Sequence, residues 1–270
     1  PACPYGLIEV VDGVARVKDG CTLCGACVEE CGYEAIEIEG TPATVPAGDD
    51  YRGIWVFAEQ RGGKLKNVAF ELLSRGRELA DTLKTELSAV CLGHNVEGIK
   101  QLIAYGADKV YSIDAPELAD NQEDLLAGQL VELIRQHRPE ALLAGATSLG
   151  RSLIPRVAAR LHTGLTADCT GLEIDTEKRL LLQTRPTFGG NIMATIICPA
   201  HRPQMATVRP RVFKKRSPDA GRPGQMIKVD FRREAVTART KLLDFIEDVT
   251  EKVKLEDADI IVAGGRGLGK

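Results

Sequence analysis

Four cysteines fall within eleven residues, in the run Cys21-Thr22-Leu23-Cys24-Gly25-Ala26-Cys27-Val28-Glu29-Glu30-Cys31. Two, two and three intervening residues are the spacing of a loop that wraps an iron-sulfur cube. The first three thiolates hold one cube, and the fourth points away toward another. Gly25 lets the backbone curl close to such a cluster and turn N–H groups toward its sulfurs. Structural zinc would need a second Cys-x-x-Cys knuckle or a histidine pair further along the chain, and the sequence holds neither. Disulfides fit poorly, because thiols so closely spaced make strained partners in a chain that shows no export signal.

The segment Cys3-Pro4-Tyr5-Gly6-Leu7-Ile8-Glu9-Val10 recurs 28 residues later as Cys31-Gly32-Tyr33-Glu34-Ala35-Ile36-Glu37-Ile38. A repeat of this kind predicts a two-fold ferredoxin, with one Cys-rich loop and one short strand in each half. Cys3 is then the remote fourth ligand of the cube held by Cys21, Cys24 and Cys27. Cys31 would serve a second cube whose other ligands are expected upstream of Pro1. If there is no such cube, Cys31 is a spare thiol, and Gly32, standing where proline commonly follows, favours that option. One 4Fe-4S cluster is therefore expected, and a second is left open.

These cysteines need a scaffold, and the rest of the chain supplies one. Residues 40–50, with Pro42, Pro46 and Gly48, lack apolar periodicity and read as a linker. Ile54 to Phe57 is an apolar run suited to a buried strand, and Leu65 to Leu83 has helical spacing. The alternation continues with strands at 87–92, 109–113 and 141–144, and helices at 96–105, 120–136 and 151–161. Strands alternating with helices predict a mostly parallel open sheet with helices on both faces. From Thr166 the rhythm changes to strands at 180–184, 192–197 and 205–208 about a turn at Phe188-Gly189-Gly190-Asn191. That change predicts an antiparallel edge on the same sheet. Gly145 to Arg151, between a strand and a helix, could offer N–H groups to an anion, but reads more simply as a turn capped by Ser148. At the end, residues 258–263 read as a strand leading into the glycine-rich loop Gly264-Gly265-Arg266-Gly267-Leu268-Gly269, whose spacing differs from the dinucleotide fingerprint.

Composition narrows the function classes. A chain of 270 residues with 44% hydrophobic content fits about two packed domains. A net charge of −3 and a pI near 5.9 argue against a general nucleic-acid-binding surface. Lys214-Lys215-Arg216 reads as a solvated loop. No apolar run approaches the roughly 20 residues of a membrane helix, so no membrane insertion is expected, and a reduced cytoplasmic setting is. Cys91, Cys169 and Cys198 read as buried small hydrophobes. None of His94, His137, His162 and His201 has a partner at ligand spacing. No acid/base or nucleophile constellation marks an independent substrate site.

Several segments together resemble the alpha subunit of electron-transfer flavoprotein. They are Gly150 to Leu161, Thr163 to Cys169, Thr184 to Thr195, Arg202 to Pro210, and Gly264 to Gly267. Their wording resembles the branch from anaerobes that takes part in flavin-based electron bifurcation, some of whose alpha subunits carry an added N-terminal ferredoxin domain. The resemblance spans Tyr51 to Lys270. It implies a heterodimer with an electron-transfer flavoprotein beta subunit, and an α/β first domain without catalytic residues. It also implies a C-terminal domain that holds FAD, opened by Gly264, Gly265, Arg266, Gly267 and Leu268, with Arg266 close to the flavin. In such complexes the beta subunit holds a second FAD that meets NADH, and electrons pass to a flavin-dependent dehydrogenase of the acyl-CoA or 2-hydroxy-acid type.

The expected organisation is a ferredoxin-like (α+β) iron-sulfur domain over 1–40, a linker over 41–50, and the α/β domain over 51–254. Residues 255–270 would be the first strand and loop of a truncated FAD-binding domain. The expected role is an electron relay between NADH or ferredoxin, flavin and the partner dehydrogenase. An alternative class is an iron-sulfur domain fused to an adenine-nucleotide-binding regulatory module without flavin.

Overall fold

The computed structural model describes residues 3, 7–11, 13–18, 26–29, 31–33, 35–36, 50–235, 242–243 and 260–269. Near the N-terminus, β1 (Ile8–Val11) and β2 (Val14–Val17) pair as an antiparallel hairpin, and the one-turn helix α1 (Ala26–Glu29) carries Cys27.

The main body begins with β3 (Ile54–Phe57), followed by a tight hairpin of β4 (Gln60–Arg61) and β5 (Lys64–Leu65). Next come α2 (Asn67–Leu83), β6 (Leu87–Gly93), the one-turn α3 (Gln101–Ala104) and β7 (Lys109–Asp114). The chain continues with α4 (Glu123–His137), β8 (Ala141–Gly145), α5 (Ser148–Leu161) and β9 (Leu165–Cys169). It closes with β10 (Gly171–Asp175), β11 (Leu180–Thr187), β12 (Ile192–Ile196), β13 (Gln204–Val208) and β14 (Gln225–Lys228).

Seven strands form one parallel sheet in the order β14-β7-β6-β3-β8-β13-β9. Its central strands are buried on both sides, and their side chains sort by period two. Ile54, Val56, Ala89, Cys91, Ala141 and Leu143 join the core under α2. Trp55, Phe57, Val90, Leu92, Leu142 and Ala144 join the core under α4 and α5. Helices therefore cover both faces, as the alternation of elements requires. The chain leaves β3 toward β6 and β7, then returns by α4 to β8 on the opposite side of β3. The direction of winding thus reverses between β3 and β8.

The sequence-based assignments need four corrections. Met205 to Val208 lies inside the sheet between β8 and β9 and runs parallel to both; it is not an antiparallel edge. The antiparallel strands β10, β11 and β12 form a separate three-stranded sheet, tied to the large one by the Gln204 side chain, which accepts from Leu181 N and donates to Arg179 O. The expected helix over 96–105 shrinks to α3, because Glu97 is drawn into a bridge with Lys64 beside the β4-β5 hairpin. Residues 260–263 form no strand. Strand β14 was not foreseen, since its four residues carry no alternation that stands out from a loop. Among the described residues no helix is long and apolar enough to cross a membrane.

Candidate functional site

Two of the expected cluster ligands show the same local chemistry. Leu7 N donates to Cys3 Sγ at 3.3 Å, and Ala35 N donates to Cys31 Sγ at 3.4 Å. Each bond spans four residues, so the 28-residue repeat is matched by a repeated N–H to sulfur contact. Such donors stabilise a thiolate and tune a cluster bound to it. Cys27 is half-buried on α1, as Cys3 and Cys31 are in their turns. Cys21 and Cys24 lie outside the described residues, as does the expected linker apart from Asp50. Among the described residues, no group of three His, Cys, Asp or Glu side chains is placed to hold a metal ion. The residues present fit a cubane by donor type: soft thiolates, with backbone N–H groups already aimed at two of them.

The C-terminal edge of an open parallel sheet, where the winding reverses, is where such folds receive nucleotides. Here that crevice is filled by the chain itself. Glu59 and Gln60, which follow β3 after Ala58, are only 5% and 3% exposed. Thr147 Oγ1 donates to Glu59 Oε2 at 2.5 Å and accepts from Gly150 N at 3.0 Å. Thr147, not Ser148, is therefore the N-cap of α5, and a carboxylate of the chain itself lies where an anion would sit. The Gln60 amide donates to Leu92 O and to Asn121 Oδ1, and its carbonyl accepts from Gly63 N. A Cβ at residue 150 would come within 1.8 Å of Gly145 O, so glycine there allows α5 to start hard against β8. Gly145 to Arg151 is a capped turn rather than an anion cradle. Glu59, Gln60 and Asn121 escape a sequence reading because their importance depends on strand order.

A second convergence joins four of the sequence segments singled out above. Arg151 on α5 donates to Asp168 Oδ1 at 3.0 Å and Oδ2 at 3.3 Å, and Arg209, after β13, lies 4.0 Å from the same carboxylate. Asp168 sits at φ +60 beside a bulge between β9 and β13, with its N–H donated to Thr207 Oγ1. Arg185 on β11 approaches from the small sheet, and its Nε is shielded from solvent with no acceptor among the described residues. The result is a basic corner with one carboxylate at its centre.

Burial pushes the thiols of Cys91 and Cys169 up to about 12 and about 11, so they stay protonated as expected of core cysteines; Cys198 is half-buried. His94 does find partners: its Nδ1 lies 3.1 Å from Asp114 Oδ1, and Asn95 Nδ2 donates to its Nε2 at 3.0 Å. Both ring nitrogens are occupied, which leaves no free base. Lys214, Lys215 and Arg216 are exposed, as a solvated loop should be. The loop at Gly264, Gly265, Arg266, Gly267 and Leu268 is exposed throughout and turns once at Arg266–Leu268. A Cβ at Gly264 would meet Leu268 at 2.6 Å, while Gly265 and Gly267 face open space, which leaves their backbone free to approach a bound group.

A profile of the electron transfer flavoprotein domain matches residues 54–233. The chain is 54% identical over 222 residues to an electron transfer flavoprotein subunit alpha from Thermoanaerobacterium thermosaccharolyticum, covering 82% of this chain and 67% of that protein. It is 51% identical over 220 residues to a protein FixB from Clostridium saccharobutylicum, covering 82% and 66%. It is 44% identical over 247 residues to an acryloyl-CoA reductase electron transfer subunit beta from Anaerotignum propionicum, covering 82% and 67%. The chain thus spans about two thirds of the length of these relatives.

Proposed function

The chain belongs to the electron transfer flavoprotein family, and on that premise we propose that it is an alpha-type subunit whose N-terminal cysteine segment relays single electrons between ferredoxin and flavin. Cys3, Cys21, Cys24 and Cys27 would hold one 4Fe-4S cluster, and Cys31 would belong to a second. When bound, the cluster would supply one-electron transfer and the flavin two-electron exchange. The observation that carries this reading is the matched pair of N–H to sulfur contacts at Cys3 and Cys31, because such donors are what a cluster-bound sulfur uses.

The remaining parts are given roles that accord with the sequence reading. Residues 1–40 would act as the relay, 41–50 as its tether, 51–254 as the scaffold for a beta subunit, and 255–270 as the opening of the FAD domain. Gly265 and Gly267 would let the backbone approach FAD, and Arg266 would bring its charge to it. The relative named for acryloyl-CoA reductase supports an acyl-CoA dehydrogenase as the electron partner; a 2-hydroxy-acid dehydrogenase would be the other choice, and the complex would be a bifurcating one in a reducing cytoplasm. The filled crevice at Glu59 and Gln60 weighs against a regulatory nucleotide module.

Iron and acid-labile sulfide analysis of the full chain purified without oxygen tests the proposal. Iron and sulfide in equal amounts, with an EPR signal appearing on reduction, are the expected result. A zinc-loaded, iron-free and EPR-silent chain would overturn it.

A further inference from the structure

The connection from β13 to β14, residues 209–224, contains neither helix nor strand. It crosses from one side of β3 to the other, and a connection of this length without regular structure is uncommon in a compact fold. Its backbone is nevertheless pinned to α2 and α3. Arg211 N donates to Glu71 Oε2 at 2.7 Å, Arg216 N to Ser74 Oγ at 2.9 Å, and Asp219 N to Ala104 O at 2.9 Å. Glu71 and Ser74 are only 9% and 5% exposed, so two polar side chains of α2 are buried in holding this strap. Val212 and Phe213 turn onto the core beside α2, and the Arg75 guanidinium lies over the Phe213 ring.

What the strap leaves outside is positive charge. Six of its residues are lysine or arginine, and Asp219 is its one acid. Arg209 and Arg222 are drawn to Asp168 and Asp108. Lys214, Lys215 and Arg216 are exposed, and among the described residues none of the three has a carboxylate partner; Lys215 Nζ donates to the neutral Asn67 Oδ1. Three neighbouring cations thus stand on a backbone that is fixed before anything binds, which lowers the ordering cost of a contact made by their side chains. Because the apolar residues of the strap point inward, it lacks the apolar centre of a permanent interface.

We infer that the pinned strap is a transient docking surface for the acidic face of another protein, whose carboxylates meet Lys214, Lys215 and Arg216. A protein face fits better than single-stranded nucleic acid, which needs aromatic rings to stack on; the strap's one aromatic, Phe213, is already covered by Arg75. It fits better than a membrane, which calls for an exposed apolar face beside the cations. A chain of net charge −3 also repels any extended polyanion beyond the strap itself. The inference goes beyond the proposed function and does not depend on iron at the cysteines.

The test measures binding of the full chain to a fluorescent peptide of alternating glutamate and glycine, which serves as the acidic probe. Association should slow by about tenfold or more between low and physiological salt, while dissociation changes little. Lys214→Gln with Lys215→Gln and Arg216→Gln should weaken binding by about tenfold and flatten the salt dependence without changing the circular dichroism. Ser74→Ala keeps every charge but releases the Arg216 N–H; it should speed amide exchange at Arg216 and weaken the peptide by about threefold. Peptide affinity that is unchanged in either variant overturns the inference. Failure of the wild-type chain to bind the peptide at low salt also overturns it, and binding of a heparin fragment or of phosphatidylserine vesicles in its place assigns the strap to a polyanion or a membrane.

Discussion

The sulfurs of Cys3 and Cys31 each accept a backbone N–H from four residues further on, so the two share one contact across the repeat. Cys27 and Cys31 should nevertheless behave differently when replaced. Under the proposed ligation, Cys27→Ser should lose most of the first cluster's visible absorbance and reduced EPR signal; Cys31→Ser should leave that signal and remove only a second one. Equal loss in both variants would mean a single cluster that includes Cys31. Elsewhere, Trp55, the only tryptophan in the sequence, packs in a tilted arrangement with ring centroids 5.0 Å from Tyr111 and 5.8 Å from His137. Burial, helped by Lys109, holds the imidazole of His137 below its ordinary value of 6.5. As pH falls below that value the unfolded chain takes up the proton first, so stability declines through the lowered folded value and then levels off. Tryptophan emission should fall over the same lowered range as the charged imidazole quenches it. His137→Phe should abolish the pH step; persistence of the step would assign it to another group.

Elements are held in register by a few polar ties, of which Asp108 is the clearest. It precedes β7, accepts from Leu87 N at 2.8 Å and from Arg77 at 2.7 Å, and its other oxygen accepts from Arg222 at 2.7 Å. One carboxylate thereby joins the starts of β6 and β7, helix α2 and the segment leading to β14. Partial burial pushes its carboxyl upward, but the Leu87 N–H and the two arginines outweigh this and hold it below the usual carboxylate range. The unfolded state therefore protonates first. The stabilisation is complete above the ordinary carboxylate value and is lost as pH falls through the lowered folded one. Asp108→Asn should cost about 2–3 kcal/mol in urea unfolding at neutral pH, the scale of hydrogen bonds to charged groups. The variant should also show a shallower decline in acid. An unchanged acid limb would place the tie elsewhere.

At the scale of the whole molecule, the proposal divides labour between a small cluster-bearing segment and a large scaffold. Cutting within residues 41–50 should spare association with the beta subunit and retention of flavin while slowing electron exchange with ferredoxin. Flavin content, pair formation and ferredoxin-linked rate are read on the same preparation. If the rate survives removal of residues 1–40 undiminished, the cluster has a structural role and the relay fails.

Read by itself, the sequence determined the parts that depend on short-range spacing. The apolar runs at β3, β6 and β8 are local patterns and suffice for an α/β class. The cysteine intervals and the repeat from Cys3 to Val10 are patterns of the same kind, on which the proposed thiolate loop rests. The placement of strand β13 did not follow, because a five-residue strand reads the same at an edge or in the interior; only its partners β8 and β9 decide. Nor did the fate of Glu59 and Gln60, which become a plug only because the winding reverses beside them. The basic corner has the same origin: Arg151, Asp168, Arg185 and Arg209 are spread over 59 residues of chain. Tertiary structure decided these points because charge and hydrogen bonding act over a few ångströms of space, while sequence spacing constrains distance only within a turn or a strand.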